Sequence, residues 1–217
     1  MSDAQQAEIH YLRRQRRKSC LIKILMFWFS LMVTIIIGMI FIRSRVSREP
    51  ADIDRYVATL FAMDLPDGFK AYSKSDFFGA HSISYWDEAH QREDGRTTSL
   101  VAIYFENKWR DWTLQKLKDK ALASMETRLE RNGFHTETKQ TLRFDDHGEP
   151  IEIYRFDGVT RLEEVLHEAT TCYRFVMTVD GPVQIQSIGI LSDFSAETQI
   201  EFLRSIRPPE SREDASP

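Results

Sequence analysis

Histidine and carboxylate side chains are the groups in this chain whose chemistry suits metal binding or acid–base catalysis. Zinc enzymes often place two histidines one helical turn apart in an H-E-x-x-H motif, and no such motif occurs in the sequence. The histidines beyond the first 50 residues are widely spaced: His81, His90, His135, His147 and His167. The spacing therefore predicts neither a metal site nor a bound cofactor.

Two short clusters combine histidine with acidic residues. Asp145-Asp146-His147 lies in "TLRFDDHGEPIEIYRF", and we interpret it as a hairpin turn, because turns favour Asp and Gly. Glu163 and His167 share one face of a predicted strand, whereas Glu168 lies on the opposite face. We interpret this second cluster as a solvated surface, since its three side chains do not converge.

Motifs for nucleophilic catalysis and phosphate binding are absent from the sequence. It contains no G-x-S-x-G, S-x-x-K or C-x-x-C, and no Walker A or G-x-G-x-x-G. Cys172 is predicted to be an ordinary strand residue. The sequence therefore predicts a binding or assembly-accessory domain without catalysis. The alternative is a hydrolase or metal-dependent enzyme whose site is assembled only in three dimensions.

Trp109 and Trp112 form the candidate binding patch. They lie in "NKWRDW", just before the longest amphipathic segment of the chain. Two exposed tryptophans so close together are unusual in a soluble domain, and aromatic side chains are common at binding surfaces. One interpretation is packing at the start of a helix, and the other is a patch that binds a protein partner or a small ligand.

The elements that position these residues follow from apolar periodicity and turn signals. In chain order, the predictions are a helix over 51–63, two strand-like segments over 69–86 with an interruption near "FFGA" and over 99–106, a helix over 113–132, two hairpins and a last helix over 195–206. The second hairpin turns at Asp180-Gly181, and a change of phase in its second strand predicts a bulge near Gln186-Ser187. This order indicates an α+β fold, with an antiparallel sheet on which a long helix and a short C-terminal helix pack.

The N-terminal part is predicted to anchor the chain in a membrane. Residues 24–42 carry no charge, and a helix of that length crosses the ~30 Å hydrocarbon core of a bilayer. No small-x-small cleavage site follows it. We therefore predict a cytoplasmic tail over 1–20, a transmembrane helix over 21–42, a stalk helix over 43–64, the domain over 65–208 and a disordered tail over 209–217.

Charge predicts the orientation and excludes one class of partner. Basic residues are more numerous before the span than after it, which favours a cytoplasmic N-terminus; the main determinants are Arg13, Arg14, Arg16, Arg17 and Lys18. The protein is then expected in a bacterial inner membrane, and its C-terminal domain is expected to be periplasmic or extracytoplasmic. Residues 51–217 hold 20 Lys and Arg but 30 Asp and Glu, so nucleic acid is not an expected partner.

Two short strings resemble a known fold family. "LPDGF" precedes the first predicted strand of the domain and "FLRSIRP" closes the last helix. With the order of elements, these strings resemble the Mog1/PsbP-like α+β sandwiches over residues 65–208. The chain is also similar to uncharacterised bacterial membrane proteins with one span. The resemblance implies a fold and an accessory binding or assembly role, and it implies no catalytic residue.

Overall fold

The structure is a computed structural model that describes residues 26–40, 45–89, 98–146, 148–162 and 164–209. These residues form two units, which divide between Arg45 and Val46. The five predicted orientation determinants, Arg13 to Lys18, lie outside the described residues, as do most of the predicted C-terminal tail and both ends of the predicted span.

The first unit contains a helix over residues 26–40. Its large side chains are almost all apolar and exposed; Phe29, for example, is 72% exposed. In the part of the chain that the structure describes, no helix meets the length and hydropathy required of a membrane-crossing helix.

The second unit is built on one antiparallel sheet of eight strands, in the order β1-β2-β3-β4-β8-β7-β6-β5. The strands are β1 (Val46–Ser47), β2 (Phe69–Phe77), β3 (Ala80–Asp87), β4 (Ser99–Glu106), β5 (Phe134–Asp146), β6 (Glu149–Leu162), β7 (Val165–Thr178) and β8 (Gly181–Ile190). The helices are α1 (Pro50–Val57), α2 (Leu114–Arg131) and α3 (Ala196–Ser205). The predicted α+β class, with an antiparallel sheet and packed helices, is confirmed.

Helices cover both faces of the sheet. Ser187 of β8 donates a hydrogen bond of 3.0 Å to Gln199 of α3, and the ring of Tyr56 in α1 stacks on Phe105 of β4. Residues of opposite parity in the same two strands, Gln184 and Tyr104, lie beside α2. Because side chains alternate between the faces of a strand, α1 and α3 lie on one face and α2 lies on the other.

The predicted long helix is confirmed together with both of its ends. Thr113 caps the first turn of α2 by accepting a hydrogen bond from the backbone N–H of Lys116. Gly133 follows the last turn with a φ of +80°, a conformation that glycine adopts without steric cost. The buried stripe consists of Leu117, Ala121, Met125 and Leu129, which recur at the spacing of one helix face.

The segment predicted as a stalk helix over 43–64 differs in the structure. Among the described residues from Val46 to Asp64, only residues 50–57 form a helix, and the compact unit begins at Val46 instead of residue 65. Ile53, Val57 and Leu60 are at most 3% exposed, so their burial makes the segment part of the core. Ala62 pairs with Arg207 beyond α3, which ties the segment to the end of the domain.

Two details of the second hairpin are corrected by the structure. Thr178 pairs with Gly181, so the two-residue turn is Val179-Asp180 and lies one residue before the predicted turn. No bulge occurs near Gln186-Ser187, because β8 pairs without a register shift with both β4 and β7. The apolar phase changes because helices on the two faces bury residues of both parities in β8.

Glu152 on β6 links the sheet to α2, and this link makes stability depend on pH. The carboxylate accepts hydrogen bonds from Lys118 Nζ at 2.7 Å, Tyr154 Oη at 3.1 Å and Arg143 Nε at 3.2 Å. The hydrogen bond from Lys118 contributes most to a lowered pKa of Glu152. A lowered pKa in the folded state adds stability that is present above the unfolded pKa, about 4.3, and is lost as the pH falls through the folded value.

We therefore expect Glu152→Gln to lower the free energy of unfolding at pH 7 by about 1 kcal/mol. Thermal unfolding followed by circular dichroism should show that this difference shrinks between pH 5 and pH 3. The matched control is Glu126→Gln, which removes an ion pair with Lys139 whose side chains are 51% and 70% exposed. A difference that persists unchanged at pH 3 would contradict the assignment.

Candidate functional site

A groove of about 540 Å³ lies between α2 and the strands β4 and β8. Its lining is aromatic at the end where α2 begins, and mixes polar and cationic residues along the helix. The lining residues are Tyr104, Glu106, Lys108, Trp109, Trp112, Leu117, Lys120, Ala121, Ser124, Arg128 and Gln184. The groove therefore contains both tryptophans of the predicted patch and side chains from elements far apart in the sequence.

The aromatic wall consists of three side chains, with Trp109 in contact with both Tyr104 and Trp112. The ring centroids of Tyr104 and Trp109 are 5.4 Å apart in an edge-to-face arrangement, and those of Trp109 and Trp112 are 6.0 Å apart. Trp109 is buried, at 7% exposure, whereas Trp112 is partly exposed. Trp109 thus packs at the start of α2, and Trp112 extends the same wall towards solvent.

The position of this wall follows from the chain between β4 and α2. β4 ends at Glu106, and a 3₁₀ turn over Asn107–Trp109 reverses the chain before Thr113 begins α2. The turn carries Trp109 back over Tyr104 of the strand that precedes it. Both tryptophans are held by local structure, so the aromatic wall is formed before any ligand binds.

Positive charge predominates along the groove. Lys108 forms an ion pair with Glu106, which also accepts a hydrogen bond of 3.0 Å from the Tyr104 hydroxyl. Burial, followed by this hydrogen bond, raises the pKa of Tyr104, so the phenol stays protonated. Within the described residues, Lys120 and Arg128 have no ion pair, and they leave the groove with a net positive charge.

Gln184 of β8 and Arg128 of α2 are residues at this groove that sequence reasoning did not single out. The side chain of Gln184 is only 4% exposed, and it lines the groove. Across the described ranges, no residue forms a hydrogen bond with its carboxamide. A carboxamide has donors and an acceptor that a ligand in the groove could use. The only sequence signal for Gln184 is a glutamine among apolar residues in the second strand of the second predicted hairpin.

The structure describes only part of the two histidine clusters. In the described parts of the chain, no group of three His, Cys, Asp or Glu side chains is arranged to hold a metal ion. Asp145 accepts a hydrogen bond of 2.8 Å from the backbone N–H of Gly148, which confirms its predicted role in a turn. His90, His147 and Glu163 lie outside the described residues.

Two other candidate residues, His81 and Cys172, pack against the rest of the domain. The imidazole of His81 stacks on Phe105, with ring centroids 4.5 Å apart, and its Nε2 lies 2.9 Å from Asn107 Oδ1. Cys172 is fully buried in β7, and burial raises the pKa of its thiol to about 12. The predicted role of Cys172 as a strand residue is confirmed, since a buried protonated thiol is a poor nucleophile.

Comparisons with known proteins leave the family open. No protein-family model matches the chain, and no curated protein matches it. Among solved structures, the chain is similar to the crystal structure of LpqN, described as involved in cell envelope biogenesis of Mycobacterium tuberculosis, with 9% identity and a TM-score of 0.37. The match covers 68% of this chain and 83% of LpqN. The resemblance to Mog1/PsbP-like sandwiches stays a prediction.

Proposed function

We propose that residues 46–209 form a binding domain without catalytic activity, and that its groove holds a ligand with an anionic group and a flat apolar part. The observation that carries this proposal is the joint placement of Gln184, Arg128 and the tryptophan wall along one groove. Gln184 and Arg128 can offer hydrogen-bond donors to a ligand, and Trp112 is the partly exposed end of the wall. The ligand is either a small molecule or a side chain or terminus of a protein partner.

The charge distribution supports an anionic group. Residues 51–217 carry ten more acidic than basic side chains, so a groove with a net positive charge stands out from its surroundings. Arg128 presents several fixed donors that suit a carboxylate, phosphate or sulfonate. Such a local field raises the concentration of anions at the groove while the rest of the domain repels them.

The aromatic wall supports a flat apolar part. Trp112 is partly exposed beside the buried Trp109, and Lys116 Nζ lies 4.7 Å from the centroid of the Trp112 ring. A flat group that stacks on this ring would take the place of the Lys116 ammonium group over its face and would bury apolar surface. The Gln184 carboxamide, which can donate and accept, would then fix the orientation of a polar substituent.

The direct test is a titration of the detergent-solubilised full chain with two water-soluble probes of similar shape. Naphthalene-1-sulfonate carries a negative charge on a flat ring system, and naphthalene-1-methanol is its neutral counterpart. We expect saturation-transfer NMR to show tighter binding of the sulfonate, by about tenfold if one charge-assisted hydrogen bond is gained. Equal affinity for the two probes would contradict an anion-binding groove.

We further propose that the chain is a single-pass protein of a bacterial inner membrane. Residues 21–42 contact the lipid bilayer, and the domain lies outside the cytoplasm. The exposed apolar side chains of the helix over 26–40 support this proposal, since such a surface is unfavourable in water. An acidic domain in that position has no role in binding nucleic acid.

Topology is tested by reporter fusions. We expect alkaline phosphatase to be active when it is fused after Arg45 or at the C-terminus, because that enzyme requires an oxidising compartment for its disulfides. β-Galactosidase fused at the same two points should be inactive. The opposite pattern would place the domain in the cytoplasm, and it would leave the chemistry of the groove unaffected.

A further inference from the structure

β5 is a long strand at the end of the sheet. It pairs with β6 through Phe134–Asp146, and no strand lies on its outer side among the residues that the structure describes. A row of backbone donors and acceptors is therefore open along one edge. An open edge of this length can pair with another strand unless its side chains oppose the pairing.

The regular part of this edge begins after a bulge. The register between β5 and β6 shifts between Thr136 and Thr138, and it is unbroken from Thr138 to Asp146. A bulge twists its strand and interrupts the spacing of the backbone groups. Residues 138–146 are therefore the segment on which a second strand can form a continuous ladder.

Like charges exclude most registers in which two copies of β5 pair about a two-fold axis. In such a pair, the axis passes beside one residue, and residues equally distant from it lie opposite each other. An axis at Lys139 or Arg143 places that residue opposite its own copy. An axis at Thr141 places Lys139 opposite Arg143 twice. Each of these registers is opposed by like charges.

Four registers are free of this repulsion, with axes at Thr138, Gln140, Leu142 and Phe144, and they differ in how much of the regular segment they pair. Axes at Thr138 and Gln140 require Glu137, which lies in the bulge, to pair, and an axis at Phe144 pairs only residues 142–146 of the regular segment. An axis at Leu142 pairs the whole segment 138–146 and places Lys139 opposite Asp145 twice. Both of these side chains are exposed, so two symmetric ion pairs can form across the junction.

We propose that β5 binds β5 of a second copy of this chain, antiparallel about a two-fold axis at Leu142, which joins two eight-stranded sheets. On one face, Leu142 lies opposite its own copy, and Phe144 lies two residues along the strand on the same face. The side chains of Leu142 and Phe144 are only partly buried in the single chain. On the other face, the ion pairs form beside the existing contact of Lys139 with Glu126, at 2.7 Å. Charge complementarity therefore favours a second copy, and the length of the regular segment favours this register.

Cysteine cross-linking in membranes tests the register, in the full chain with Cys20→Ser. Cys172 is fully buried and is retained. Leu142→Cys should form disulfide-linked dimers on mild oxidation, because residues directly opposite have Cα atoms within the range that a disulfide spans. Lys139→Cys alone is the control, since its two copies would lie six residues apart, or roughly 20 Å.

A second pair of variants keeps the test valid if Leu142→Cys folds poorly. Co-expressed Lys139→Cys and Asp145→Cys chains with different tags should cross-link to each other roughly tenfold more than either does to itself, because only the mixed pair is directly opposite. In the chain without introduced cysteines, Lys139→Glu should weaken self-association about tenfold. The double variant Lys139→Glu with Asp145→Lys should restore it. Cross-linking of Lys139→Cys to itself as strongly as in the mixed pair, or no cross-link in any variant, would overturn the proposal.

Discussion

Arg128→Gln should weaken binding of naphthalene-1-sulfonate by about 10- to 100-fold, the loss expected for a hydrogen bond to a charged group. Arg128 lines the groove and has no ion pair within the described residues, so its guanidinium is available to the anion. Glutamine keeps much of the length of the side chain and removes only the charge and some donors. The affinity for naphthalene-1-methanol should stay within about twofold, since the neutral probe gains nothing from the charge.

The matched control for this prediction is Arg131→Gln. Arg131 is an exposed arginine in the last turn of the same helix and does not line the groove, so the variant tests the general effect of one lost charge. Binding should be followed by the same saturation-transfer NMR titration in the same detergent. An equal loss for both probes in Arg128→Gln would show that Arg128 acts by packing, and an equal loss in Arg131→Gln would show that the net charge of the domain decides.

Local signals predicted most of the secondary structure. The spacing of apolar residues predicted the buried face of α2. Thr113 and Gly133 predicted its two ends, because capping depends on residues within one turn. β4 was predicted with its observed bounds, Ser99–Glu106. Each of these features is decided by a short window of sequence, and the structure agrees with each.

Features that depend on long-range packing were not predictable in the same way. The buried residues of 50–61 look like one face of a short amphipathic helix whether they cover a separate stalk or the core. The phase change in β8 has the pattern of a bulge, and it also fits an unbroken strand buried on both faces. Only the position of β8 between β4 and β7 distinguishes these interpretations.

The groove illustrates the same limit for a candidate site. Trp109 and Trp112 were found from the sequence because two neighbouring tryptophans are unusual. Gln184 was not found, because its significance comes from the pairing of β8 with β4, which places it opposite Tyr104. Arg128 looked like an ordinary helix residue. A site assembled from strand, turn and helix has no compact motif, even where its local elements are predictable.

Arg174→Ala should lower the free energy of unfolding by about 3 kcal/mol, since it removes charge-assisted hydrogen bonds and leaves carbonyl groups unpaired in the core. Arg174 on β7 donates from its guanidinium to the carbonyl oxygens of Leu203 at 2.5 Å and Ile206 at 2.9 Å. These carbonyls belong to the end of α3, where backbone acceptors have no helical partner. Burial lowers the pKa of Arg174.

The expected loss corresponds to a fall in Tm of about 6–12 °C for a domain of this size, measured by circular dichroism. Arg174→Lys should recover part of the stability, because an ammonium group retains the charge but cannot reproduce the planar set of donors. The control is Arg161→Ala, an exposed arginine on β6, which should change Tm by no more than about 2 °C. If Arg174→Ala had the same Tm as the control, water would satisfy the carbonyl groups at the end of α3. The side chain of Arg174 would then not be what holds this helix to the sheet.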